Sequence, residues 1–264
     1  MPARDQVIPV EAVLFDMDGV LTETVQAHAD AWKRLFDEFL ERRAGVDAEF
    51  APFDPVRDYR EFVDGKLRQD GVTSFLASRG IELPYGREDD GNDQETVCGL
   101  GNRKNRYFRD WLTRHTVRPN PGAVELVRSL RAARIKTAVF SASRNAPAVL
   151  ESAGLLRLFD ILVDGNDAAR LGLSGKPDPA ILLEAALRLG VSPVNAAVFE
   201  DAISGITAGT RAGFRLVVGV ASGDDVDALK RAGAHRIVAD LTAVRLLPNQ
   251  GLLIEEELNQ EKPA

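Results

Sequence analysis

Short apolar runs alternate with helical patterns along most of this 264-residue chain, and this alternation restricts the fold more than any other feature. Because runs this short are typical of buried strands and are separated by helix-length segments, we expect right-handed strand–helix–strand crossovers. The predicted fold is α/β: a doubly wound, Rossmann-like parallel sheet with helices on both faces. The strands are expected at residues 12–15, 136–142, 161–163, 196–199, 216–220 and 236–239. Helices are expected at 121–133, 146–153, 179–189 and 224–232, and a further helix follows the strand at 196–199 and ends at residue 212.

The alternation is interrupted after the first strand. Residues 24–43 carry apolar positions at helical spacing, and between about 44 and 117 strand-like runs are absent and charged residues become frequent. We therefore predict an α/β core formed by residues 1–25 and 117–264, with an inserted helical cap domain at 26–116. The cap should contain a helix at 102–115 and an exposed acidic loop at 86–93, and it is expected to close over the strand ends as a lid that limits water access.

Composition excludes several classes of protein. The net charge of −7 provides no basic face for nucleic acid or an anionic membrane, so neither is expected as a partner. The single cysteine, Cys98, cannot form an internal disulfide or a cysteine-rich zinc site. No apolar run has the length of a membrane span, and the N-terminus lacks the apolar core of a signal peptide. We expect a cytoplasmic enzyme, large enough to be a monomer, with the oligomeric state left open.

Two carboxylates, Asp16 and Asp18, follow the first apolar run in the stretch D-M-D-G-V. The carboxyl ends of strands are where open α/β sheets bind ligands. Neighbouring desolvated carboxylates repel each other unless a cation or a shared proton compensates. An exposed turn is the alternative, and it would be favoured for an isolated pair of this kind.

Three further polar stretches follow other predicted strands or open helices. Ser141, Ser143, Arg144 and Asn145 form a turn that could bind a phosphate through hydroxyls, backbone N–H groups and a guanidinium, although helix capping explains it equally well. Lys176, in G-K-P-D-P, could neutralise a phosphoryl group, or could be a solvated surface lysine. Glu200 and Asp201 could join Asp16 in an oxygen-only site suited to Mg²⁺; a helix cap would explain Asp201 but not Glu200.

In this order the stretches resemble those of the haloacid dehalogenase (HAD) superfamily of phosphotransferases. The resemblance implies that Asp16 is the nucleophile that forms an aspartyl phosphate and that Asp18 is the general acid/base. It implies that Ser141 and Lys176 hold the phosphoryl group. It also implies Mg²⁺ as the cofactor, bound by Asp16, the backbone carbonyl of Asp18 and Asp201, with Glu200 close by.

The cap adds a closer resemblance, to the β-phosphoglucomutase-like family. The similar stretches are H-x-x-A-W, the loop D-G-K-L-R, R-K-N and S-R-N, and the insertion carries extra residues at roughly 80–100. The resemblance implies that the loop arginine and the S-R-N stretch bind the non-reacting phosphate of a sugar phosphate, while a histidine and a lysine line the closed site. The histidine could instead be solvated or buried in the core, and the tryptophan could serve lid packing. The implied substrate-binding residues are His28, Trp32, Gly65, Arg68, Lys104, Asn105, Ser143, Arg144 and Asn145.

Three functions follow. A mutase must hold both ends of a bisphosphate intermediate, and phosphate contacts from two parts of the chain favour it: the implied reaction converts β-D-glucose 1-phosphate to glucose 6-phosphate through the 1,6-bisphosphate. A sugar-phosphate phosphatase of the same superfamily is the alternative, since a hydrolase needs one phosphate site and water. A non-catalytic binding protein on the same fold is the third, and the intact Asp16, Asp18, Lys176 and Asp201 argue against it.

Overall fold

The structure is a computed structural model that describes residues 7–44, 51–221, 223, 225–247 and 251–255. Its main feature is a six-stranded sheet in which every pair of neighbours is parallel, which confirms the predicted α/β class. The strand order is β3-β2-β1-β4-β5-β6. The strands are β1 (Ala12–Asp16), β2 (Lys136–Phe140), β3 (Ile161–Val163), β4 (Ala196–Glu200), β5 (Leu216–Val220) and β6 (Arg236–Val238). The first strand is therefore central, and its neighbours come from distant parts of the chain.

Contacts divide the chain into two compact units: Met1–Glu23 with Arg118–Ala264, and Thr24–Val117. The first unit contains the parallel sheet. Its helices are α4 (Ala123–Ala132), α5 (Ala146–Ser152), α6 (Gly165–Leu171), α7 (Ala180–Leu189), α8 (Ile203–Arg211) and α9 (Asp225–Ala232). The central strands β1 and β4 are buried along their whole length, as expected of strands covered on both faces.

The second unit is helical. It contains α1 (Val25–Ala44), a π-helical segment (Tyr59–Val63), α2 (Arg68–Ser78) and α3 (Val97–Leu112). Aromatic rings form its core: Phe36 stacks on Trp32 with ring centroids 5.3 Å apart and meets Phe75 at 4.0 Å. All three side chains are buried, so their apolar area stabilises the packing of α1 against α2.

Some elements differ from the predictions. The helix expected at 102–115 begins at Val97 because Thr96 caps it, its side chain accepting a hydrogen bond from the Gly99 N–H at 3.0 Å, and it ends at Leu112. Helix α6 was not predicted; Asp164 and Asp167 form a capping box at its start. The antiparallel pair β7 (Val244–Leu247) and β8 (Gly251–Ile254) was also missed. Residues 252–258 form an amphipathic stretch in the sequence; residues 252–254 lie in β8, and residues 256–258 lie outside the described residues.

Within the described residues, no helix is both long and apolar enough to cross a membrane.

Candidate active site

The site is built at the carboxyl end of β1. Asp16 is the last residue of this strand and lies in register with Phe140 of β2, while Phe15 lies in register with Phe199 of β4. Because the neighbouring strands run parallel, the residues that follow these partners, Ser141 and Glu200, come to the same edge of the sheet as Asp16. Strand order alone thus brings Asp16 together with two polar residues that lie 125 and 184 positions further along the sequence.

Lys176 connects two of these strands through buried ion pairs. Its Nζ donates to Asp16 Oδ1 at 2.5 Å and to Glu200 Oε2 at 2.8 Å. The exposed fractions are 5% for Asp16, 2% for Lys176 and 0% for Glu200, so all three charges lie out of water. Burial alone would lower the pKa of Lys176, but the two carboxylates outweigh it and raise that pKa, so the ammonium stays charged. The lysine is therefore a fixed positive charge at the centre of the site and not a solvated surface group.

The carboxylates outnumber this cation. Burial, followed by the negative charge of Glu200, raises the pKa of Asp16, and the charge of Asp18 acts in the same direction. Asp16, Glu200 and Asp201 each offer an oxygen within 4.8 Å of the others. An excess of carboxylate oxygen, with no nitrogen or sulfur in the cluster, fits a hard divalent cation and not zinc or copper. The residues present therefore suit a divalent metal ion.

A tight loop carries Asp18 away from β1. Gly19 has φ of 81°, a left-handed conformation that favours glycine, and its N–H donates to the Thr22 carbonyl at 2.9 Å. The Thr22 hydroxyl donates to the Met17 carbonyl at 3.1 Å, and Asn120 Nδ2 donates to the Gly19 carbonyl at 2.6 Å. These bonds fix the backbone on both sides of Asp18, which places its carboxyl group two residues beyond Asp16 on a rigid loop.

The turn that follows β2 holds the predicted phosphate-binding hydroxyls. Ser141 is buried, and its Oγ accepts a hydrogen bond from the Ser143 N–H at 3.0 Å, which leaves its own O–H proton to donate. Ser143 Oγ in turn accepts from the Asn145 N–H at 3.2 Å. The backbone packs closely against α6, since a Cβ added at Gly165 would lie 2.5 Å from the Ala142 carbonyl oxygen. The turn is therefore held in one shape, with Arg144 within it.

In the second unit the structure brings three predicted residues together. Lys104 Nζ lies 2.7 Å from His28 Nδ1 and 4.9 Å from the ring of Trp32, which joins α3 to α1. The His28 ring also packs on Phe108 at 4.0 Å, so this histidine is not a solvated side chain. Trp32 is buried and stacked on Phe36, as expected of a packing residue.

The other predicted residues of the second unit lie in the turn before α2, at the start of α2 and on α3. Gly65 occupies a left-handed turn with φ of 69° shortly before α2. Arg68 is the first residue of α2, not part of a loop, and its Nη1 lies 3.5 Å from Oδ1 of Asn102 on α3. Asn105 is half-buried on α3.

Gly205 is a residue of the site that sequence reasoning missed. It lies in the first turn of α8, and a Cβ placed on it would lie 1.9 Å from Oε2 of Glu200. Because Gly205 has no side chain, the Glu200 carboxylate has room to lie beside Lys176. The signal was present in the stretch E-D-A-I-S-G, where a glycine stands inside a helix five residues after a buried acid.

A cavity of about 400 Å³ lies at the opposite end of β2 and β3, with Arg131, Arg134 and Lys136 among its lining residues. Lys136 Nζ donates to the Leu189 carbonyl at the end of α7, and Arg131 donates to the Leu158 carbonyl, both at 2.7 Å. Two of these basic side chains therefore satisfy carbonyl groups at the ends of helical segments. The cavity contains none of the carboxylates at the end of β1 and is a different place from the candidate site.

Comparison with known proteins shows which family the chain resembles. The haloacid dehalogenase-like hydrolase family matches residues 10–213. A β-phosphoglucomutase of Mycobacterium bovis is 46% identical over 236 residues, which cover 88% of this chain and 90% of that protein. A phosphorylated carbohydrates phosphatase of Thermotoga maritima is 31% identical over 232 residues, which cover 87% of this chain and 94% of that protein. The crystal structure of a β-phosphoglucomutase from Clostridium difficile superposes with a TM-score of 0.68 at 26% identity, covering 88% of this chain and 92% of that one.

Proposed function

The chain belongs to the haloacid dehalogenase superfamily and, within it, to the β-phosphoglucomutase-like family, and from this membership we propose that it converts β-D-glucose 1-phosphate to glucose 6-phosphate through the 1,6-bisphosphate. The observation that carries the phosphoryl transfer in this proposal is the buried ion pair between Asp16 and Lys176, beside Glu200, at the end of the central strand. It supplies a nucleophile and a fixed positive charge in a place shielded from water. Phosphoryl transfer needs this combination of positioning and charge neutralisation.

Asp16 attacks phosphorus and becomes the aspartyl phosphate, which divides the transfer into two displacements. Lys176 neutralises charge on the transferring oxygens, and the Ser141 hydroxyl donates a hydrogen bond to one of them. Asp18, on its rigid loop, protonates the departing oxygen in one half-reaction and accepts the proton of the attacking hydroxyl in the other. These roles are proposals that the family resemblance motivates.

Mg²⁺ is the proposed cofactor. Asp16, Asp201 and the backbone carbonyl of Asp18 would hold it, and when bound it adds positive charge next to the phosphoryl group. Glu200 offers an oxygen to the same cluster, but its Oε2 accepts from Lys176 and its Oε1 from the Ala202 N–H at 3.0 Å. We therefore assign Glu200 the additional task of orienting Lys176.

A mutase also requires residues for the phosphate that is not reacting. We propose that Arg68, Lys104, Ser143, Arg144 and Asn145 bind that phosphate, with His28, Gly65 and Asn105 supporting the sugar site. Without this second phosphate site the bisphosphate could not be retained while its two ends exchange roles. A small-molecule sugar phosphate is the substrate class on either interpretation.

The second candidate is a sugar-phosphate phosphatase. It is favoured by the 31% identity to the carbohydrate phosphatase of Thermotoga maritima, which spans nearly the whole of both chains. The two functions share the aspartyl phosphate and differ in its acceptor, which is a sugar hydroxyl in the mutase and water in the phosphatase.

The deciding experiment is a coupled assay with β-glucose 1-phosphate, Mg²⁺ and a trace of glucose 1,6-bisphosphate, in which glucose 6-phosphate and inorganic phosphate are followed together. Glucose 6-phosphate formed well ahead of phosphate is the expected result, and phosphate release alone would make the enzyme a phosphatase. Asp16→Asn should abolish both products. Asp227→Asn, at an exposed carboxylate on α9, is the matched control and should retain full activity.

A further inference from the structure

Side chains of α3 fasten the long segment between α2 and α3: Arg103 Nε donates to the Asn92 carbonyl, and Asn102 makes two further bonds. Asn102 Nδ2 donates to the backbone carbonyls of Glu88 and Asp90, each at 3.0 Å. These two carbonyls belong to the acidic loop at residues 86–93, which is largely exposed. The loop is also attached to the start of α3, because the hydroxyl of the capping residue Thr96 donates to Asp90 Oδ2 at 2.6 Å. A loop rich in charge and glycine is thus held in a defined shape.

The other end of the same amide faces Arg68. Asn102 Oδ1 lies 3.5 Å from Arg68 Nη1, at the outer limit of a hydrogen bond. The stem of this arginine lies against the backbone of α3, since a Cβ added at Gly101 would lie 3.2 Å from Arg68 Cδ. Consecutive residues of α3 therefore determine the course of Arg68: Gly101 provides the space for its stem, and Asn102 contacts its guanidinium.

An amide has one acceptor oxygen and two donor hydrogens on a single plane. Both loop carbonyls accept from Nδ2, so the loop fixes the amide plane and, with it, the direction of Oδ1. Arginine side chains lose much rotamer freedom when they bind an anion, and a neighbour that restricts them beforehand reduces this loss. The position of the loop backbone is in this way transmitted to the guanidinium of Arg68.

We propose that Asn102 is a positioning residue that couples the acidic loop to Arg68 and thereby raises affinity for substrates with a sugar-borne phosphate over small phosphate esters. The proposal rests on the phosphate-binding role given to Arg68 under the proposed function. It assigns a task to the extra residues of the helical unit: they restrict the side chain that recognises the second phosphate. Asn102 itself contacts no reacting atom.

A double-mutant cycle tests the coupling. Asn102→Ala should raise KM for β-glucose 1-phosphate about threefold to tenfold, the effect of losing one pre-organised side chain, with kcat within about twofold. Hydrolysis of p-nitrophenyl phosphate, which has no second phosphate to hold, should be unchanged. Adding Asn102→Ala to Arg68→Ala should raise KM no further, because the residue being positioned is gone. Asn195→Ala, at a surface amide bonded to Glu11, is the matched control.

Asn102→Asp separates loop anchoring from contact with Arg68. The carboxylate can still accept from the guanidinium but cannot donate to the two carbonyls, so KM should rise as it does in Asn102→Ala. An unchanged KM in Asn102→Asp would refute the role of the loop. Equal KM increases from Asn102→Ala with and without Arg68 would refute the coupling. The proposed function fails separately, if Arg68→Ala alone leaves KM for β-glucose 1-phosphate unchanged. Folding is checked by thermal unfolding, and alanine has the higher helix propensity at this position.

Discussion

Gly205→Ala should disable the active site without touching any group that reacts. The added Cβ would lie 1.9 Å from Glu200 Oε2 and 2.1 Å from Glu200 Cδ, whereas contacts of a Cβ below 3.0 Å essentially do not occur. The carboxylate would have to retreat by about 1 Å. Since Glu200 is fully buried, it has no free volume into which it could move without disturbing its neighbours.

The retreat would break the 2.8 Å contact between Glu200 and Lys176. Breaking a buried ion pair lowers the free energy of unfolding by about 3–5 kcal/mol, whereas replacing glycine by alanine in a helix raises it by about 1 kcal/mol. We therefore expect a loss of roughly 3 kcal/mol in the free energy of unfolding, or a melting temperature lower by roughly 10 °C. Misplacing Lys176 by a comparable distance should lower kcat about 100-fold.

Gly209→Ala is the matched control on the same helix. Its Cβ would meet the methyl groups of Val217 at 3.3 and 3.4 Å, a tight apolar contact with no ionic group. Melting temperature is measured by circular dichroism and kcat by the coupled assay for glucose 6-phosphate. A Gly205→Ala enzyme with unchanged kcat would refute the reasoning, and so would equal losses in the two variants.

Two further changes test other parts of the molecule. Asp18→Ala should lower kcat about 100-fold or more, because the general acid/base is removed. Mg²⁺ affinity, measured by calorimetry, should change far less, because only the backbone carbonyl of Asp18 is proposed as a ligand. Comparable losses of kcat and of Mg²⁺ affinity would contradict the general acid/base role. Asp167 accepts hydrogen bonds from Arg188 at 2.9 and 3.1 Å, and this partner lowers its pKa to about 2. A carboxyl whose pKa is lowered on folding adds stability that is present above its unfolded pKa and lost as pH falls through about 4 to 2. Asp167→Asn should therefore cost about 1 kcal/mol at pH 7, which is less than the pKa shift alone implies because both side chains are partly exposed, and the cost should fall progressively below about pH 4. The measurement is urea unfolding at about pH 7 and about pH 3, and an equal loss at the two pH values is the contradicting result.

The parts of the fold that sequence could predict are those with a local signal. Buried strands such as Ala12–Asp16 are continuous apolar runs, and their alternation with helices limits the topology to a few arrangements. The adjacency of Asp16, Ser141 and Glu200 follows once the strands are known to be parallel neighbours, because each residue stands at the carboxyl end of its strand. Prediction was accurate here because position in the sequence and position in the sheet are directly linked.

The features that sequence could not predict depend on contacts between distant side chains and backbone. The place of Gly205 is explained by the carboxylate of Glu200 that lies beside it. A glycine inside a predicted helix is a weak signal that Gly209 also gives, so the sequence alone does not single out Gly205. Asn102 reads as an ordinary polar position on a helix until the carbonyls of Glu88 and Asp90 are seen to accept from it. The predicted start of helix α3, residue 102, was too late. The apolar periodicity before residue 102 is weak, and the helix begins at Val97 because Thr96 caps it.

These two kinds of feature correspond to two parts of the proposed reaction. The chemistry that a mutase shares with a phosphatase depends on residues fixed by strand order, so it is readable from motifs around Asp16 and Lys176. The difference between the two enzymes depends on holding a second phosphate, and there a side chain such as Arg68 is useful only if its direction is restricted before substrate arrives. That restriction comes from Gly101, Asn102 and the loop backbone, none of which is a motif residue. Motifs alone therefore identify the phosphotransferase, and we propose that the surroundings of Arg68 favour the mutase by helping to hold the second phosphate.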